Sequence, residues 1–216
     1  AARGFRYGKE GWANLGQGAP ETGSLPGAAD RLGSIDIDPG AHEYAPVGGL
    51  WPLREAVASL YNHRFRKGMP SQYTAENVAI SAGGRVALTR VAATLGNVHL
   101  GHVLPDYTAY EELLSIFRAF VPIPIVLDRD GGFVLTADRL RAEIVGKGLS
   151  AILLSNPCNP TGQVVRGGAL RAWLDVSRKL SCALIFDEFY SHYLYDAAAT
   201  QDGPAASAAR YVENVD

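Results

Sequence analysis

Residues 151–164 read AILLSNPCNPTGQV, an apolar run that ends abruptly in two Asn-Pro pairs and a Thr-Gly. An apolar run this short, bounded by turn residues, predicts a strand buried on both faces. The pattern recurs along the chain. NVAIS (77–81), HVLP (102–105), PIPIVL (122–127) and CALIFD (182–187) are runs of the same type, with helix-like segments beginning near residues 84, 107, 137 and 167. Strand-helix-strand repetition with continuous apolar strands predicts an α/β fold, a doubly wound and mostly parallel sheet covered by helices on both faces. In such sheets ligands sit beyond the carboxyl ends of the strands, so the residues just after each run carry the functional reading.

The first 45 residues have a different character. They are rich in Gly and Pro, as in NLGQGAP (14–20), and lack periodic apolar positions, which predicts an arm over residues 1–45 and a large domain over 46–216. Leu50, Leu53, Val57 and Leu60 then recur at helical spacing, and Gly68-Met69-Pro70 stops that helix.

Composition narrows the classes of function. With 20 basic and 22 acidic residues scattered along 216, the chain carries a formal charge of −2 and has no basic stripe for nucleic acid or for a membrane surface. Its longest apolar runs fall well short of the ~18–20 residues that a bilayer crossing needs. Two cysteines, Cys158 and Cys182, and the lack of a leader pattern favour a cytoplasmic reading. The five histidines are scattered, and His192 has no co-ligand at metal spacing, so no metal site is expected. Gly-x-Ser-x-Gly, Gly-x4-Gly-Lys-Ser/Thr and Gly-x-Gly-x-x-Gly are all missing, which removes the common hydrolase, triphosphatase and dinucleotide readings.

The strand ends point to a flat, charged ligand. Gly83 and Gly84 let the backbone turn tightly into a helix whose N–H groups face an anion, and Arg85 adds a charge. The same residues also read as a plain turn with a solvated arginine. Tyr107 and Tyr110 open the next helix, either to stack on a ligand or simply to pack in the core. Asp187 closes an apolar strand, where a carboxylate needs a cation or donors, and Tyr190 follows three residues later. A structural ion pair is the alternative for Asp187.

Taken together these stretches resemble the class I/II aminotransferases, the fold-type I enzymes that use pyridoxal 5′-phosphate. The resemblance covers nearly the whole chain in one order: NLGQGAP, YAPVGGLWPLREAV, SAGGRVAL, LPDYTAY, SNPCNPTG and DEFY. SNPCNPTG followed about twenty-five residues later by DEFY is highly specific. It implies that Gly83, Gly84 and Arg85 hold the cofactor phosphate, that Tyr107 stacks on the ring, and that Asp187 pairs with the protonated ring nitrogen. Asn159 and Tyr190 would contact the ring oxygen. Tyr44 would reach the cofactor phosphate of a partner in a homodimer, and Gly18 and Asn159 would approach the carboxylate of an amino-acid substrate. The implied activity is amino transfer between an amino acid and a 2-oxo acid. Lyases, cyclases and synthases of the same fold share these contacts, and a non-catalytic ligand-binding domain would keep them too.

One family feature is missing. The lysine that bonds the cofactor has no counterpart among Lys9, Lys67, Lys147 and Lys179, which read as solvated surface residues. The expectation is a cofactor-binding portion whose lysine and substrate-binding arginine lie beyond Asp216. Within SNPCNPTG, Pro157 and Pro160 are expected to brace Asn159, one Asn-Pro bond is a candidate for the cis form, and Cys158 reads as a small spacer.

Overall fold

Four apolar runs settle into parallel strands: β1 (His99–Leu104), β2 (Val121–Val126), β3 (Ala151–Ser155) and β4 (Ala183–Asp187). They pair in the order β2-β1-β3-β4, with Leu104 beside Val126 and Ser155 beside Asp187. The structure is a computed structural model and describes residues 4, 6, 10–13, 18, 27, 29–195, 203 and 205–215. Its helices are α1 (Trp51–Phe65), α2 (Gly84–Thr94), α3 (Ala109–Ser115), α4 (Ala137–Lys147) and α5 (Gly167–Leu180). Two units are distinguished, Ala1–Tyr44 and Ala45–Asp216. The described part of the first holds one short turn of helix, Pro39–His42, opened by Asp38 Oδ1 accepting from Gly40 N at 2.8 Å.

In the second unit helices cover both faces of the central strands, while most of the edge strand β2 stays exposed. All five residues of β3 are buried. Leu100, Ala151 and Leu153 pack with Ala92 of α2 and with Tyr110 and Leu114 of α3 on one face. Val103, Ile152 and Leu154 pack with Leu140 and Ile144 of α4 and Leu170 and Trp173 of α5 on the other. This is the doubly wound parallel architecture that the strand pattern predicts. Local chemistry sets the helix ends. Thr136 Oγ1 accepts from Arg139 N at 3.1 Å to open α4, and Gly148 closes it in the left-handed region.

The run NVAIS is a correction. Asn77 ends a short turn of helix, and Val78–Ser81 continue without a ladder. Its backbone groups are taken by other partners: Ile80 N donates to Gly48 O at 2.9 Å, Arg54 Nε donates to Val78 O at 2.7 Å, and Arg90 Nη1 donates to Ile80 O at 3.3 Å. A β-rich sequence becomes a strand only beside another strand, and among the described residues none flanks this one. Gly49, at φ +96°, allows the contact with residue 80, because a Cβ there would lie 2.6 Å from Ile80 Cβ.

A buried arginine ties the far end of the chain to α1. Arg66 is 0% exposed; its Nε and Nη2 donate to Ser71 O at 3.0 and 2.8 Å, and its Nη1 donates to Ala209 O and Val212 O at 2.8 and 2.6 Å. Three carbonyls meet a charge that burial would otherwise penalise.

The strand order also locates the site. From β1 the chain crosses to β2 on one side, then returns past β1 to β3 and β4 on the other. The connections after β1 and β3 therefore diverge, and the crevice between them is where a parallel α/β sheet receives a ligand.

Candidate functional site

The segments leaving β1, β3 and β4 and the start of α2 surround a cavity of about 270 Å³. Gly84, Arg85, Tyr107, Asn159, Asp187 and Tyr190, each singled out in the sequence, line it together. Gly83 is the residue before α2, at φ +95° and ψ 163°, a conformation essentially confined to glycine. Space for a Cβ is open at both glycines, so the approach to the helix N-terminus is clear. Gly18 and Tyr44 belong to the first unit, and Tyr44 is fully exposed.

One end of the cavity is cationic and the other anionic. Arg85 Nη2 donates to Tyr107 Oη at 2.6 Å, and this bond is the main cause that holds the guanidinium above its ordinary proton affinity. The Tyr107 ring meets Tyr110 edge-on at 5.6 Å. At the other end Asp187 Oδ2 accepts from Tyr110 Oη at 2.8 Å, and Oδ1 accepts from Phe189 N at 3.1 Å. Burial, reinforced by the Asp187 charge, pushes the Tyr110 phenol far up, so it remains a donor. Tyr190 packs edge-on between Phe189 and Tyr193.

The loop after β3 is braced by more than its prolines. Both Asn-Pro bonds are cis, as is Leu104-Pro105. Asn156, 1% exposed, pairs like a peptide with Val165: Nδ2 donates to Val165 O at 2.8 Å, and Val165 N donates to Oδ1 at 2.9 Å. Asn159, two residues past Pro157, is held through its backbone, with N donating to Ser155 Oγ at 3.1 Å. Cys158 Sγ lies 3.6 Å from Pro105 O and serves as a spacer between the two loops.

Sequence reasoning missed Asp106, Ser155 and Phe189. Asp106 accepts from Tyr107 N at 2.7 Å, from Ser155 N at 2.9 Å and from the Ser155 hydroxyl. Burial raises its carboxyl above the ordinary range, with the Ser155 and Tyr107 donors opposing. An acidic residue between Pro and Tyr after a strand was the available signal. Ser155, the last residue of a fully buried strand, gave no signal of its own.

Lys67 and Lys179 are exposed, as expected. Lys147 is only half-exposed, because Nζ donates to Pro124 O at 2.8 Å and pairs with Glu143 at 2.6 Å. None of the three lines the cavity. Lys9 lies outside the described residues. Among the described residues no cluster suited to a metal ion occurs and no helix is long and apolar enough to cross a membrane.

A parallel α/β domain with a helix N-terminus, an aromatic wall and a strand-end carboxylate around one cavity has the groups that suit a flat, anionic ligand. The family described as aminotransferase class I and II matches residues 10–215, and the chain belongs to it. A probable N-succinyldiaminopimelate aminotransferase of Mycobacterium tuberculosis is 32% identical over 193 residues, covering 87% of this chain and 47% of that protein. A probable aspartate/prephenate aminotransferase of Thermus aquaticus is 28% identical over 183 residues, covering 84% and 46%. Among solved structures, a tetra mutant of the Thermus thermophilus aspartate aminotransferase is similar with a TM-score of 0.65 at 27% identity, covering 78% of this chain and 44% of that one. The chain spans about half the length of the curated relatives it matches.

Proposed function

We propose that this chain is the pyridoxal 5′-phosphate-binding portion of an aminotransferase acting on an amino acid and a 2-oxo acid. The observation that carries the reading is the convergence of Gly84, Arg85, Tyr107, Asn159, Asp187 and Tyr190 on one cavity at the divergence of β1 and β3.

The donor set fits the cofactor. Gly84 and Arg85 supply N–H groups and a cation for a phosphate, Gly83 turns the chain into them with its own N–H on Ser81 O at 2.8 Å, and Tyr107 supplies a flat face. Asp187 supplies the anion that favours a protonated ring nitrogen, and Asn159 and Tyr190 supply donors for a ring oxygen. When bound, the cofactor supplies an electron sink for the substrate α-carbon. The chain's own contribution is to orient the ring, hold Asp187 against it through Tyr110 and Phe189 N, and keep the phosphate end apart from the reacting end. Covalent attachment through a lysine is not among the jobs of Lys67, Lys147 or Lys179, which stand away from the cavity lining.

A homodimer is part of the proposal. In the second unit the apolar Leu50, Trp51, Leu53 and Leu60 at α1 are exposed, a surface suited to a second copy, and in the first unit Tyr44 is exposed. Gly18 would approach the substrate carboxylate together with Asn159. Two free cysteines fit a reducing compartment, and the cytoplasm is the proposed location.

The test uses the full-length protein with pyridoxal phosphate and a panel of amino acids and 2-oxo acids. Transfer of an amino group, read as new 2-oxo acid, is expected, with a dimer by light scattering. Cofactor binding without transfer across the panel would overturn the aminotransferase reading; no cofactor binding would overturn the site itself.

A further inference from the structure

We propose that Asp106 is a positioning residue that holds the two ring contacts, Tyr107 and Asn159, in register from behind the cavity wall; the inference rests on the cofactor reading above. Asp106 is 6% exposed and is not part of the cavity lining, so it does not touch the ligand. It touches what does. Oδ1 accepts from Tyr107 N at 2.7 Å and from the Ser155 hydroxyl, and Oδ2 accepts from Ser155 N at 2.9 Å. Ser155 Oγ in turn accepts from Asn159 N at 3.1 Å.

One carboxylate thus joins the exits of β1 and β3, the two segments that diverge at the crevice. Apart from that link the segments are tied by the side chains of Tyr110 and Ser155, which also meet, and weakly by Cys158 Sγ to Pro105 O at 3.6 Å. The charge matters because three donors converge on it, and only an acceptor at both oxygens satisfies them. An amide of the same shape offers one acceptor and one donor. Whichever way it turns, its NH2 faces the N–H of Tyr107 or of Ser155, and that backbone group is left unmet.

The phosphate end is built separately. Gly83 and Gly84 have no hydrogen bond to Asp106 or Ser155, and Arg85 reaches this network only through the Tyr107 side chain, by a hydrogen bond to its hydroxyl and by its ring 5.7 Å away. Losing Asp106 therefore disturbs the ring end of the site directly and the anion end only at second hand, through the Tyr107 side chain.

The experiment measures two affinities on the apo full-length protein: the Kd for pyridoxal 5′-phosphate, and the constant with which inorganic phosphate competes for the site. Asp106→Asn is expected to weaken pyridoxal phosphate by about tenfold, the scale of one lost charge-assisted hydrogen bond, with phosphate unchanged within about twofold. Ser155→Ala, which keeps the Ser155 and Tyr107 N–H bonds and loses only the hydroxyl, should show the same split at a smaller amplitude. Equal affinities in variant and wild type would overturn the proposal, as would equal weakening of both ligands in Asp106→Asn and Ser155→Ala, the mark of a general structural role. A wild type that binds no pyridoxal phosphate would remove the cofactor reading, and this proposal with it.

Discussion

Tyr110 Oη donates to Asp187 Oδ2 across 2.8 Å, so a helix packed on one face of the sheet holds the carboxylate at the end of its edge strand β4. The two residues are 77 apart in sequence and are joined by the fold alone.

The pair predicts an unequal response to mutation. Asp187→Ala removes the charge that faces the ligand and should weaken pyridoxal phosphate by about 10–100-fold, matching the about 1.5–3 kcal/mol of a hydrogen bond to a charged group. Tyr110→Phe keeps the ring contact with Tyr107 and leaves Phe189 N on Asp187, so a loss below about tenfold is expected. Equilibrium titration of the apo full-length protein measures both. Equal losses would mean that Asp187 acts only when Tyr110 holds it.

The two glycines at the start of α2 separate stability from binding. Gly83 has φ +95°, so Gly83→Ala should cost about 1–3 kcal/mol of stability through backbone strain. Gly84 has no such φ, and a methyl added to it would meet no atom within 4 Å, so Gly84→Ala should leave the stability in urea within about 0.5 kcal/mol of wild type. That methyl would nonetheless stand at the cavity wall and weaken phosphate binding. Unchanged phosphate affinity in Gly84→Ala would remove the anion from that end of the cavity.

Much of the candidate site was legible because its residues stand at or just past the ends of short apolar runs, whether or not the run becomes a strand. Gly84, Arg85, Tyr107, Asn159, Asp187 and Tyr190 each stand just past an apolar run, and the doubly wound order brings such positions to one edge. Asp106 and Ser155 were not legible, because their contact depends on β1 lying beside β3 while β2 intervenes in sequence. The same limit explains NVAIS. Local pattern reports that a run is suited to a strand and says nothing of whether another strand stands next to it. Arg66 was invisible for a third reason: an arginine after a helix reads as solvated, and two of its carbonyl partners lie 143 and 146 residues away.

That arginine makes a stability prediction independent of the cavity. Arg66→Met fills much of the volume but leaves the carbonyls of Ala209 and Val212 without their guanidinium donor, and that of Ser71 with only Gln72 Nε2 at 3.4 Å. At about 1–3 kcal/mol for each buried group left unmet, a loss of about 3 kcal/mol or more is expected in urea unfolding. Arg66→Lys, with one point charge in place of a fork, should recover only part of it. A loss under about 1 kcal/mol for Arg66→Met would show that water replaces the guanidinium.

Glu188 gives a pH dependence whose sign follows from burial. Its Oε1 accepts from Ala208 N and its Oε2 from Ser207 Oγ, both at 2.7 Å, yet burial outweighs these bonds and raises its carboxyl above the ordinary value. Asp187 beside it adds repulsion in the same direction. A raised carboxyl contributes its stability in full below the unfolded value, about 4.3, and loses it as pH rises through the folded value. Asp106 is raised by burial too and acts with the same sign. Glu143 acts oppositely: burial pushes it up, but Lys147 and Arg139 outweigh that and lower it, so its contribution is lost only as pH falls below the ordinary carboxylate range. Above about pH 4.5 Glu188 and Asp106 make the unfolding free energy fall as pH rises, while His102, lowered by burial, makes it rise near neutrality, so Glu188→Gln should shift the slope in the positive direction. The slope is the quantity to compare, since any pH-independent cost of the amide cancels from it. Parallel slopes in the two proteins would show that Glu188 titrates alike in the folded and unfolded chains.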